Sequence, residues 1–120
     1  MKESDGIYVY EVKQLEKGGE ARGCVGNHAR LEITGDTSTQ TNMTLSVAAK
    51  YKDWEGNYLT DESRSITIRV TGPGQPQEIV LNPVNGQAEF EFESPIAGMF
   101  KICAAAEFPC TPGELEVTVS

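Results

Sequence analysis

One histidine, one tryptophan and three cysteines occur in 120 residues, and only ten lysines and arginines face eighteen aspartates and glutamates. Each scarcity excludes something. The lone His28 lies in a glycine-rich stretch, and no Gly-x-Ser-x-Gly elbow supplies a serine nucleophile, so triad chemistry has no foothold. A phosphate-cradling P-loop is absent as well. The net charge of −8 repels phosphate backbones and anionic lipid surfaces, which argues against nucleic acid and the membrane surface as partners. No apolar run approaches the roughly 18 residues of a membrane span, so membrane insertion is not expected. The opening residues Met1 to Gly6 lack the apolar stretch of a secretory signal and read as the boundary of a cut domain. No cofactor-binding signature is present, and the chain reads as a non-enzyme.

What the chain has is alternation. Met43, Leu45, Val47, Ala49 and Tyr51 interleave with Thr44, Ser46, Ala48 and Lys50, which gives an extended segment one apolar and one polar face. The same period of two recurs in Ile66, Ile68 and Val70, in Ala88, Phe90 and Phe92, in Phe100, Ile102 and Ala104, and in Leu115, Val117 and Val119. A helix would scatter the intervening charges over every face. The fold expected is all-β, an immunoglobulin-like antiparallel β-sandwich of about seven to eight strands, since half-buried sheets packed face to face bury this pattern.

Turn residues divide the segments. Ile7 to Leu15 is a first strand candidate, with Ile7, Val9 and Glu11 alternating against Tyr8, Tyr10 and Val12. Lys17 to Asn27 is glycine-rich and expected to loop, and Ala29 to Thr34 offers Leu31 and Ile33 as a short strand. Strands are expected at Asn42 to Tyr51, Arg64 to Thr71, around Ile79 and Leu81, and at Gln87 to Glu93, Met99 to Ala105 and Leu115 to Ser120. Asp53 to Asn57 is a turn or short loop, Gly72 to Pro76 cannot continue a ladder, and Asn85-Gly86 is a strong hairpin signal. Residues 1–120 are thus read as one domain, whose N-terminal strand and glycine-rich loop occupy 1–28. Phe90, Phe92 and Phe100 share the inward phase.

The stretches Lys52 to Thr60, Val70 to Pro73, Gly86 to Ser94 and Gly98 to Ala105 resemble the bacterial immunoglobulin-like repeats of the invasin type, and filamin repeats look similar over the same region. The likeness covers about Met43 to Ser120 and rests on the aromatic pair of a penultimate hairpin, here Phe90 and Phe92, followed by a glycine-aromatic strand with Phe100. The cysteines and the segment Glu107 to Gly113 depart from those families. The resemblance implies a non-catalytic spacer, adhesive or docking module of a larger bacterial protein, at the cell surface or outside the cell. Its partners would be neighbouring domains or another protein.

Several residue groups invite a sharper reading. Cys103 has outward phase and Cys110 follows seven residues later, so a bridge could staple the loop between them if their α-carbons approach within about 7 Å. Cys24 and His28, with those two cysteines, supply zinc ligand types at a spacing that matches no zinc signature. Asp53, Glu55, Asn57 and Asp61 crowd oxygen donors together, but Arg64 stands where an EF-hand needs its bidentate glutamate, and a polar hairpin loop is the simpler reading. Tyr51, Trp54 and Tyr58 form a candidate aromatic platform for a sugar, so a carbohydrate-binding module is one alternative; a transthyretin-like accessory domain of a larger enzyme is another. Glu89, Glu91 and Glu93 form an acidic ladder that discourages edge pairing.

Overall fold

The computed structural model covers residues 1–120, and every regular element in it is a β-strand. Twelve strands follow in chain order: β1 Lys2–Ser4, β2 Tyr8–Gln14, β3 Glu20–Asn27, β4 Ala29–Thr34, β5 Ser38–Thr39, β6 Leu45–Asp53, β7 Ile66–Thr71, β8 Gln77–Leu81, β9 Gln87–Phe92, β10 Gly98–Ala106, β11 Cys110–Thr111 and β12 Gly113–Val119. From β4 onward they form two sheets, a five-stranded one in the order β5-β12-β10-β7-β8 and a four-stranded one in the order β11-β4-β6-β9. A third sheet, β1-β2-β3, precedes them, and the whole molecule is elongated, 65 × 26 × 20 Å.

The period of two is what closes the sandwich. Leu45, Val47, Ala49 and Tyr51 of β6 face Ile66, Ile68 and Val70 of β7, Phe100, Ile102 and Ala104 of β10, and Val117 and Val119 of β12 in one cluster of 17 buried residues. Tyr51, Ile66, Ile68, Ile102 and Val117 are fully buried, and each such aliphatic side chain contributes about 1.5 to 3 kcal/mol through burial. Phe90 and Phe92 of β9 enter the same cluster, and the Phe92 and Phe100 rings meet edge to face with centroids 5.3 Å apart. The inward phase expected for all three phenylalanines is the one observed.

One end of the core is shut by a stack. The Phe108 ring lies 5.8 Å from that of Tyr51, the Arg64 guanidinium sits 3.4 Å above Phe108, and Glu62 holds that guanidinium through Nε and Oε1 at 2.9 Å. The Tyr51 hydroxyl donates to the Arg64 carbonyl at 2.9 Å, so its one polar atom is satisfied inside. The segment that departs from the repeat families, 107–113, thus carries the aromatic plug of the sandwich.

Three expectations need correction. The glycine-rich stretch 17–27 is not all loop: Glu20–Asn27 pairs along the whole of β2. Glycine weakens a strand without forbidding it, and here a tight turn with two left-handed glycines, Gly18 and Gly19, makes the hairpin. In β2 the alternation breaks at a register shift between Val9 and Tyr10, so Val12 rather than Glu11 follows Val9 inward. Met43 does not join the core; Asn42 takes a left-handed φ of 63° and β6 begins only at Leu45. The strand expected around Ile79 and Leu81 is present as β8, an edge strand on which Ile79 and Val80 stay exposed.

The first sheet is attached end-on. β3 runs through His28 straight into β4, the His28 amide donates to the Ile7 carbonyl at 2.7 Å, and the His28 ring meets the Ser4 hydroxyl. Val9 and Val12 are buried within this sheet but lie outside the sandwich cluster. Asp5 fixes its first turn by accepting from the amides of Tyr8 and Ile7 at 2.8 and 2.9 Å, bonds that hold its carboxyl below the usual aspartate range.

Candidate functional site

The outer face of the four-stranded sheet collects cations. Arg30 on β4 is opposite Lys52 on β6, and Lys50, two residues on, is opposite Glu32 on one side and Gln87 on the other. Lys52 is spent on Glu32 at 2.6 Å, and that pairing lowers the Glu32 carboxyl and raises the Lys52 amine from their ordinary values. Tyr58 leans over both lysines, with the Lys52 and Lys50 amines 4.8 and 5.4 Å from its ring centroid.

Beside this group two irregular segments lock together. Asn85 and Gly86 both take positive φ, 55° and 75°, and Val84 and Gln87 exchange backbone hydrogen bonds across them at 2.8 and 3.2 Å. That is the tight hairpin expected of Asn-Gly. The Gly86 carbonyl accepts from the Tyr51 amide and the Leu59 amide donates to the Tyr51 carbonyl, both at 2.9 Å, which clamps the 58–60 segment against the turn. Between them lies a cavity of about 250 Å³ lined by Lys50, Tyr58, Leu59, Thr60, Asn85, Gly86 and Gln87. Its lining combines hydrogen-bonded backbone at Leu59 and Gly86 with an amine, a phenol ring, a hydroxyl and two amides.

The three-aromatic platform is not formed. Tyr51 has no exposed surface, because its inward phase on β6 commits it to the core. Trp54 is half-buried in the following turn, and only Tyr58, 53% exposed, remains accessible. Of the platform one residue borders the cavity, while Lys50, Thr60, Asn85 and Gln87 were not anticipated. The polar phase of β6 was the available signal for Lys50; nothing local tells that the 58–60 segment and the 85–86 turn meet.

The Asp53 carboxylate serves its own turn. Oδ1 accepts from the amides of Asn57 and Glu55 at 2.9 Å, the larger effect coming from Asn57, and these bonds keep Asp53 below the usual aspartate range. Asp53 with the amides of Glu55 and Asn57 therefore builds an Asx-type turn, in which Asp61 takes no part. Glu89 and Glu91 point outward along β9, an edge of the four-stranded sheet.

Cys103 and Cys110 are not bridged; all three cysteines are free thiols. Cys103 faces outward on β10 opposite Arg69 and Glu114, whereas Cys110 on β11 belongs to the other sheet and packs against the core. With Cys103 facing out from one sheet and Cys110 facing the core from the other, their β-carbons point apart and a bridge would require the backbone to move. Burial raises the Cys110 thiol to about 11. Cys24 is exposed on β3 and His28 sits at the junction, and no three His, Cys, Asp or Glu side chains converge anywhere on the molecule.

No family model and no curated protein matches this sequence. Solved structures do. The CARDB domain of a Pyrococcus furiosus protein, determined in complex with di-metal ions, is 16% identical over 77% of this chain and 87% of its own, with a TM-score of 0.54. The PKD domain of an M14-like peptidase from a Thermoplasmatales archaeon is 20% identical over 75% and 92%, with a TM-score of 0.51. The superoxide reductase (neelaredoxin) from Ignicoccus hospitalis reaches 0.50 at 12% identity over 76% and 80%. At such identities the likeness concerns the fold alone, and it stops short of the invasin-type and filamin repeats. The chain is an all-β protein built on an immunoglobulin-like sandwich, the architecture it shares with CARDB and PKD domains.

Proposed function

We propose that this chain is a non-catalytic interaction module of a larger protein, joined to a neighbouring domain of the same polypeptide through its first sheet. The carrying observation is the eight-residue edge of β3. Glu20 to Gly26 are exposed and bonded on one side only, to β2, while three of the four sandwich edges are shortened or charged. The two-residue strands β5 and β11 blunt one pair of those edges, and glutamates line β9. From Gly23 to Gly26 the β3 edge carries no charge, and such an edge accepts an added strand through main-chain hydrogen bonds. The elongated shape suits a spacer, and the sandwich supplies the rigid body behind the arm.

Hydrogen exchange tests this reading. The β3 amides that do not bond to β2 should exchange freely in this chain and become protected in the parent polypeptide. Equal exchange in both would remove the proposed joint.

The cavity beside Tyr58 favours a second reading, carbohydrate binding. It rests on an exposed ring and on hydroxyl and amide groups at the rim of a pocket of monosaccharide size. Saturable shifts of the Leu59 and Thr60 amides on titration with a neutral or an acidic monosaccharide would support it, and silence to both would remove it.

A further inference from the structure

We infer that the cavity between the 58–60 segment and the 85–86 turn takes an acidic sugar, a pyranose bearing a carboxylate, with Lys50 as the carboxylate's partner. The inference rests on the carbohydrate reading and adds the charge of the ligand. Its basis is an imbalance between two neighbouring lysines. Lys52 is matched by Glu32 at 2.6 Å, whereas no ion pair reaches Lys50, although it is half-buried and lines the cavity. Lys2, Lys13, Lys17 and Arg30 also lack an ion pair but are exposed, whereas Lys50 is half-buried and the acid opposite it, Glu32, is engaged by Lys52.

The rest of the rim suits a sugar. Tyr58, whose ring the Lys50 and Lys52 amines approach, keeps half of its surface exposed for the C–H face of a pyranose. Thr60, Asn85 and Gln87 bring donors and acceptors for ring hydroxyls, and all three are exposed, so these groups face water that a ligand would displace. A neutral sugar seated in the cavity would strip water from the Lys50 ammonium and return no charge. A carboxylate offsets that loss with a charge-assisted hydrogen bond. Long-range repulsion from the negative protein is screened beyond about 8 Å at physiological salt, and on the sheet face beside the cavity Arg30, Lys50 and Lys52 outnumber the one acid paired among them, Glu32. The site is also formed in advance, because backbone hydrogen bonds to Tyr51 hold both segments.

Nitrogen-15 correlation spectra followed at Leu59, Thr60, Asn85, Gly86 and Gln87 read the site directly, with sodium glucuronate, glucose and sodium acetate as probes. Glucuronate should shift these amides saturably with a Kd of about 1 mM, ordinary for a single small ring, and bind at least about fivefold tighter than glucose or acetate. Lys50→Gln should abolish that preference while leaving the spectrum folded, and Lys101→Gln, on the other sheet, should leave it intact. A glucuronate polymer shifting the same amides at a tenfold lower sugar concentration marks polysaccharide as the source, and equal concentrations mark the free sugar. Glucose binding as tightly as glucuronate, or an undiminished preference in Lys50→Gln, overturns the acidic assignment and leaves the carbohydrate reading standing. Acetate matching glucuronate overturns the sugar itself. Silence of all five amides to both sugars at about 100 mM overturns both readings.

Discussion

A β-carbon at position 86 would fall inside the van der Waals envelope of the Leu59 carbonyl oxygen, so the Asn85-Gly86 turn and the segment after Tyr58 touch backbone to backbone. This contact joins two loops from separate parts of the chain, both of which line the cavity. Glycine is required there twice, for the φ of 75° and for the space.

Gly86→Ala should therefore be costly beyond its size. Left-handed strain of about 1 to 2 kcal/mol adds to a clash with main chain that only movement of the 58–60 segment relieves, for an expected total of about 2 to 4 kcal/mol. Denaturant midpoints measure the loss. The amides of Leu59 and Thr60 should shift in the same variant, and an unchanged midpoint would mean that the two loops are not in contact.

The aromatic hairpin should carry a large share of the stability. Phe90→Ala and Phe100→Ala should each cost about 3 to 5 kcal/mol, because both rings are buried in the shared cluster, whereas Glu91→Ala on the outer face should cost under about 0.5. A double-mutant cycle between Phe92 and Phe100 should return a coupling of about 0.5 to 1.5 kcal/mol for their edge-to-face pair. Equal losses at positions 90, 91 and 100 would contradict the phase of β9 and β10.

The thiols should separate by reactivity. At about pH 8 the Cys110 thiolate is roughly a hundredfold scarcer than that of an unperturbed cysteine, since its value is pushed up to about 11, and its side chain packs against the core. Disulfide-exchange reagents should modify exposed Cys24 first and Cys110 last. Denatured protein should count three thiols with and without prior reduction. A count of one before reduction would restore the bridge between Cys103 and Cys110.

Acid should loosen the turn at Asp53. Its folded value lies below the ordinary one, so the stability it lends is complete above the unfolded value and fades as pH falls through the folded value. Asp53→Asn retains an oxygen for the amides of Glu55 and Asn57 without the titration. Between about pH 7 and about pH 3 the variant's urea midpoint should fall less than the parent's. Parallel curves would show that the carboxylate charge does not matter to the turn.

The sandwich, its inward phase and the Asn-Gly hairpin are legible in the chain alone, because they depend on alternation over five or six residues and on the φ of single positions. Leu45 to Tyr51 and Phe90 to Phe100 needed no distant information to show which side faces in. The rest depends on contacts between distant segments. Tyr51 counted as a surface aromatic only while Trp54 and Tyr58 were read with it as one loop; its phase on β6 sends it inward to Phe108 and Arg64. Cys103 and Cys110 are near in sequence yet belong to different sheets, and β3 exists because β2 pairs with it despite Gly23 and Gly26. The cavity follows the same logic: Lys50, Tyr58 and Asn85 come from three separate segments, and only strand pairing between β6 and β9 brings the turn at 85–86 against the lysine that has no acid of its own.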